Sequence, residues 1–126
     1  MNIIFMGTPD FAVECLDILV KSAHNIIAVI TSEDKPAGRG QKIKISDVKK
    51  YSIKKNLKIL QPKNLKNSDF ISEVKSLKPD VFIVVAFRML PKILWEIPKK
   101  GTINLHASLL PNLRGAAPIH WAIIKG

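Results

Sequence analysis

Val81-Phe82-Ile83-Val84-Val85-Ala86 is apolar at every position. A strand with one wet face alternates between apolar and polar residues. A strand with no alternation must be covered on both faces, which is the situation of a central strand in a parallel sheet clothed by helices. Ile3-Ile4-Phe5-Met6 has the same character near the start of the chain. Other strand-like segments fall at 26–31, 58–60 and 102–105, and helix-like segments lie at about 10–22, 46–56 and 68–77. In the last of these Phe70, Val74 and Leu77 share one side. Gly7-Thr8-Pro9-Asp10 reads as the turn into the first helix: Thr8 can cap it, Pro9 suits its first position, and Asp10 favours its positive end. Residues 33–45 hold Lys35-Pro36-Ala37-Gly38-Arg39-Gly40 and read as too glycine-rich for a regular element. Residues 116–125, opening through Pro118, read as a helix. Strands alternating with helices give an α/β fold, a doubly wound, mostly parallel, Rossmann-like sheet with right-handed crossovers. In such sheets sites lie at the carboxyl ends of strands. Gly7, residues 31–40, Phe87 and residues 104–106 are therefore expected to converge on one crevice.

The chain has 126 residues and is 47% hydrophobic, enough for one domain with a real core. No apolar run approaches the ~20 residues that span a bilayer, and the first residues lack a basic-then-apolar leader pattern. Cys15 is the single cysteine, so an intrachain disulfide is impossible, in keeping with a cytoplasmic setting. It shares a helical stripe with Phe11, Ala12, Leu16 and Leu19 and reads as a core thiol.

Charge is distributed unevenly. Residues 35–66 carry eleven basic side chains and one acid, Asp47, so this segment holds the entire formal charge of +10. The rest of the chain is balanced. Such a block suits a polyanion, with phosphate contacts supplying affinity; solvated surface lysines are the plainer alternative.

The chemistry concentrates in Asn104-Leu105-His106-Ala107-Ser108-Leu109-Leu110-Pro111, followed by Arg114-Gly115-Ala116-Ala117-Pro118-Ile119. Asn104 and His106 lie two apart, so a strand would turn both to one side. A carboxamide can hold a developing oxyanion, and an imidazole titrating near neutrality can move a proton, which together suit acyl transfer. Gly7-Thr8-Pro9-Asp10 lacks the second and third glycines of a dinucleotide site and reads as a structural turn. No Cys/His spacing suggests a metal site, and none is expected.

These stretches resemble the N-terminal part of the methionyl-tRNA formyltransferases. The resemblance rests on residues 5–13, 34–40, 60–62, 78–81 and 104–119, in family order over nearly the whole chain. Asn-x-His-x-Ser-Leu-Leu-Pro is shared by the folate-dependent formyltransferase superfamily. The Lys-Pro-Ala-Gly-Arg-Gly loop and the Arg-Gly-Ala-Ala-Pro-Ile tail point to the tRNA enzymes.

The resemblance implies transfer of a formyl group from 10-formyltetrahydrofolate to the α-amino group of methionyl initiator tRNA. Asn104 would stabilise the oxyanion and His106 would act as general acid/base. Ser108, Leu109, Leu110 and Pro111 would line the folate, and Lys35, Arg39 and Lys42 would contact the tRNA acceptor end, with Arg39 the leading residue. It further implies a cytoplasmic protein with no membrane partner, monomeric when complete. Residues 1–126 would be the N-terminal part of the catalytic domain of a truncated formyltransferase fold. The family's catalytic aspartate and its C-terminal domain would lie beyond, so this chain alone is expected to be inactive or nearly so. Two rival readings are a folate- or tRNA-binding remnant without catalysis and a folate-dependent formyltransferase for another amine. One departure stands out. Many family members have Ala-Tyr-Gly before Ile-Leu-Pro-Lys, where this chain has Ala86-Phe87-Arg88-Met89-Leu90-Pro91-Lys92, one residue shorter and one charge richer.

Overall fold

A computed structural model describes residues 1–38, 42–107 and 119–124. Its elements in chain order are β1 (Asn2–Gly7), α1 (Asp10–Val20), β2 (Asn25–Ile30), β3 (Lys35–Ala37), β4 (Lys42–Lys44), α2 (Asp47–Lys54), β5 (Ile59–Leu60), α3 (Ser68–Ser76), β6 (Val81–Val85), α4 (Lys92–Trp95), β7 (Thr102–Ala107) and β8 (Ile119–Ile124). The main sheet has the order β5-β2-β1-β6-β7-β8. β5, β2, β1, β6 and β7 run parallel, and β8 closes the far edge antiparallel to β7. This is the doubly wound sheet expected from the sequence.

The all-apolar strands are explained by what covers them. Ile3, Phe5, Val81, Ile83 and Val85 pack with Ala12 and Leu16 of α1 and Val48 of α2 on one face. Ile4, Met6, Phe82 and Val84 pack with Phe70, Ile71 and Val74 of α3 and Leu94 of α4 on the other. Each strand therefore sends alternate residues into two different cores, and neither face tolerates a polar residue. The chain starts in the middle at β1, builds outward through β2 to β5, then returns to lay β6 on the other side of β1. That reversal puts the topological switch point between β1 and β6, where crevices form outside the strands' carboxyl ends.

Four local expectations are corrected. The N-cap of α1 is Pro9, with extended backbone and no side-chain capping bond; Thr8 is displaced one residue outward and cannot cap. The glycine-rich stretch is in part regular: β3 and β4 form an antiparallel ribbon pairing Lys35 with Lys44 and Ala37 with Lys42. Gly38 turns out of β3 at φ +66, with nothing within 4 Å of where a Cβ would stand. One glycine thus ends the strand without dissolving it. Residues 119–124 are a strand rather than a helix, because this β-branched run pairs the otherwise open edge of β7. Finally, α4 was not anticipated; four residues are too few to display a helical period.

Ser46 caps α2 by accepting from the Lys49 N–H at 3.0 Å, and Asn67 caps α3 through the Phe70 N–H at 3.0 Å. The helices α1 and α2 are joined by a hydrogen bond from the Tyr51 hydroxyl to Asp17 Oδ1, 2.6 Å long. Burial and that bond push the Tyr51 phenol up to about 12, so the folded state holds this proton more tightly than the unfolded chain does. The stabilisation is full below the ordinary phenol value near 10 and disappears as pH rises from there to about 12. Tyr51→Phe is expected to lower the unfolding free energy by about 1 kcal/mol at neutral pH. It should also flatten the fall of stability between pH 10 and 12, measured by urea unfolding across that window. An unchanged alkaline limb would rule the tie out.

Candidate functional site

A cavity of about 370 Å³ opens at the switch point, lined by Thr8, Ser32, Glu33, Lys35, Ala86, Phe87 and Arg88. Thr8 follows the end of β1 and Ala86 the end of β6, whose last register pair is Gly7 with Val85. An adjoining recess of about 190 Å³ shares Thr8, Ser32, Glu33 and Lys35 and extends to Lys44, Ile45 and Ser46. The crevice thus runs from the switch point to the root of the β3–β4 ribbon. Of the residues expected to converge, Ser32, Glu33, Lys35 and Phe87 line this crevice, and Thr8 does so in place of its neighbour Gly7.

Asn104 does not line this cavity. It sits on β7 in register with Val84 of β6, and Leu105 is in register with Val85. Position 106 is therefore the first beyond the β6 pairing, level with Ala86, and it pairs with position 120 of β8. Ile103 and Leu105 pack on the α1/α2 side, which turns the half-buried Asn104 to the α3/α4 side, where Phe87 also packs. The expectation of a single crevice is corrected to this extent: Asn104 and the crevice share one sheet edge, with residues 86–88 between them. Ala86 takes a left-handed backbone, φ +50, at this corner. A non-glycine residue in that conformation is held there by its surroundings.

The ribbon is rooted firmly. Asp34, just before β3, receives Lys49 Nζ on both oxygens at 2.9 and 2.8 Å and Gln61 Nε2 at 2.8 Å. Gln61 also donates to the Ser32 carbonyl at 3.0 Å. The Lys49 ammonium first, then Gln61, holds the Asp34 carboxyl below the usual carboxylate range. At the other root the Thr31 and Ser46 hydroxyls share a hydrogen bond of 2.6 Å. From these anchors β3 and β4 project, and Lys35, Lys42 and Lys44 are all exposed. Cross-strand pairing sets Lys44 beside Lys35. Sequence reasoning singled out Lys35 and Lys42 but missed Lys44; only the strand register brings it in.

Arg39, Ser108, Leu109, Leu110 and Pro111 lie outside the described residues. Cys15 is half-buried, and burial, reinforced by Glu14, pushes its thiol up, as befits an inert packing residue. Among the described residues no group of three or more His, Cys, Asp or Glu comes together as a metal site would require. No helix among them is long and apolar enough to cross a membrane.

Comparison with known proteins adds a family and a fold. The family model described as formyl transferase matches residues 1–126. A methionyl-tRNA formyltransferase of Flavobacterium johnsoniae is 62% identical over 126 residues, which cover 100% of this chain and 40% of that protein. The protein of the same name in Bacteroides thetaiotaomicron is 56% identical over 126 residues, covering 100% and 39%. The chain therefore spans about 40% of the length of these curated relatives. Among solved structures, phosphoribosylglycinamide formyltransferase of Coxiella burnetii superposes with a TM-score of 0.60 at 16% identity, over 99% of this chain and 66% of that one. The Anaplasma phagocytophilum protein of that name gives 0.61 at 17%, over 98% and 63%. At such identities the likeness is one of fold.

Proposed function

The chain belongs to the formyl transferase family, and from that premise we propose that it serves formyl transfer from 10-formyltetrahydrofolate to the α-amino group of methionyl initiator tRNA. The observation that carries this reading is the pairing of two features at one sheet edge. One is a lysine-faced ribbon rooted beside the crevice; the other is the Asn104 position on β7. The ribbon suits a phosphate backbone. A small amine acceptor would give no reason to build it. The identity to relatives named methionyl-tRNA formyltransferase supports the same acceptor.

The described donor set fits a formyl donor. A half-buried neutral carboxamide offers an N–H to an uncharged carbonyl oxygen without a counter-charge, and Phe87 offers an apolar ring to a flat heterocycle. 10-formyltetrahydrofolate supplies the activated one-carbon unit, and attack by the amine forms a C–N bond at the formyl carbon as the bond to the donor nitrogen breaks. Asn104 donates to the oxygen that gains charge during that exchange. His106 accepts the proton that the amine nitrogen loses and delivers it to the departing nitrogen, so no net proton is consumed. Ser108, Leu109, Leu110 and Pro111 line the folate. Lys35, Arg39 and Lys42, joined by Lys44, hold the acceptor end of the tRNA. The setting on this reading is the cytoplasm, and the working form is a monomer.

The test is formylation of methionyl-tRNA by the protein at the length of its relatives. The 126-residue chain by itself is assayed in parallel and expected to be inactive or nearly so. A small-molecule amine accepted faster than methionyl-tRNA would overturn the choice of acceptor. The ribbon makes a further, quantitative prediction. Each lysine neutralised by Ala at 35, 42 or 44 should reduce the slope of log affinity against log salt by about 0.7–0.9. Titration of tRNA between low and moderate salt reads this directly; a slope unmoved by all three substitutions would remove the ribbon from the interface.

A further inference from the structure

We infer that Arg88 is a positioning residue: it ties the loop leaving β5 to the loop leaving β6 and so fixes the crevice wall that Phe87 provides. Its Nη1 donates to the Lys63 carbonyl at 3.1 Å and its Nη2 to the Pro62 carbonyl at 3.0 Å. The guanidinium carbon lies 5.0 Å from the centroid of the Phe87 ring. In the sheet order β5 and β6 are separated by β2 and β1, so no ladder bond connects the two loops. β5 is paired through Ile59 and Leu60 alone, and Pro62 has no N–H with which to anchor the chain beyond it. A planar fork with two parallel donors, held by its own ring neighbour, supplies the missing connection.

The placement gives the tie its consequence. Arg88 lines the crevice of about 370 Å³ and also a groove of about 1000 Å³ on its other side, with Lys63, Leu65, Met89 and Lys92. It is the partition between the two. Phe87 is fixed at one end by the left-handed Ala86 and at the other by Arg88. The positive charge that departs from the family pattern therefore acts on backbone carbonyls, and no role in the chemistry is assigned to it.

The kinetic arm of the test rests on the proposed formyl transfer; the structural arm does not. Hydrogen exchange followed by mass spectrometry compares the parent with Arg88→Met, which keeps the stem and loses the donors, and with Arg88→Lys. Loss of two charge-assisted bonds should speed exchange at residues 64–66 and 87–90 by about tenfold. Arg88→Lys, with one ammonium for two carbonyls, should recover part of the protection. In the protein at the length of its relatives, Arg88→Met should raise KM for methionyl-tRNA several-fold while kcat stays within about twofold, because Asn104 and His106 stand on β7. Unchanged exchange in Arg88→Met would overturn the tie. A fall in kcat at constant KM would overturn the positioning role. A parent that transfers no formyl group would refute the proposed function instead, and the exchange arm alone would then decide for or against Arg88.

Discussion

Asn104→Ala, in the protein at the length of its relatives, is expected to lower kcat for methionyl-tRNA formylation by about 10²–10³, or roughly 2.7–4 kcal/mol of transition-state stabilisation. The carboxamide is half-buried midway along β7, flanked in sequence by Ile103 and Leu105, which pack into the α1/α2 core. Its position is thus set by a buried and a half-buried neighbour, Leu105 and Ile103, and truncation removes the donor without removing what holds the strand. Unfolding free energy should stay within about 1 kcal/mol of the parent, as for a half-buried side chain that packs no core. KM should move little, since the donor's partner acquires its charge only during reaction. His106→Ala should cost about 10²–10⁴. The double variant should be little worse than the worse single one, as expected of groups that act on one proton and one oxygen together. Steady-state formylation with both substrates varied separates these outcomes. Near-normal kcat in Asn104→Ala would remove it from the chemistry.

The parts of this fold that were legible in the sequence are those where burial leaves no choice. Ile3 to Met6 and Val81 to Val85 are apolar throughout because each alternate residue enters a different core. That pattern alone required cover on both faces; the place of the switch point follows from the strand order. The parts that were not legible are decided by partners distant in sequence. Thr8 looks like a cap until Pro9 takes the position. The ribbon is invisible in a glycine-rich stretch because its pairing of Lys35 with Lys44 rests on tertiary anchors, Lys49 on Asp34 and Thr31 on Ser46. Residues 119–124 have an apolar pattern compatible with either helix or strand, and an unpaired β7 edge settles it as a strand. In the site, Asn104 could be placed on a strand, but its expected place at the strand end is corrected: β7 continues to Ala107 because β8 pairs with it that far, which leaves Asn104 inside the strand. That residues 86–88 stand between it and the crevice could not be read from the sequence, since this depends on the sheet order and on the turn at Ala86.

Gly7 carries the largest stability effect expected, and its reason is close approach, not backbone conformation. A Cβ on Gly7 would stand 2.8 Å from Ala12 Cβ, 2.8 Å from the Val85 carbonyl oxygen and 3.0 Å from a ring carbon of Phe5. The first two belong to α1 and to the backbone of β6, so no rotamer change relieves them. Gly7→Ala must push α1 away from the sheet or separate β1 from β6, and is expected to cost about 1–3 kcal/mol, the range for overpacking a tight core. The same displacement reaches function, because Thr8 and Ala86 flank this contact and line the crevice. A cycle with Ala12→Gly isolates the cause. Ala12→Gly alone should be destabilising by about 1 kcal/mol, since it places a glycine inside a helix. Combined with Gly7→Ala it should be less harmful than the two effects added, with a favourable coupling of about 0.5–3 kcal/mol. Rescue should remain incomplete, because the Val85 oxygen is still in place. Urea unfolding of the four proteins measures all of this. Gly7→Ala within about 0.5 kcal/mol of the parent, the range of an ordinary surface substitution, would mean that β1, α1 and β6 are not packed as closely as the switch point requires.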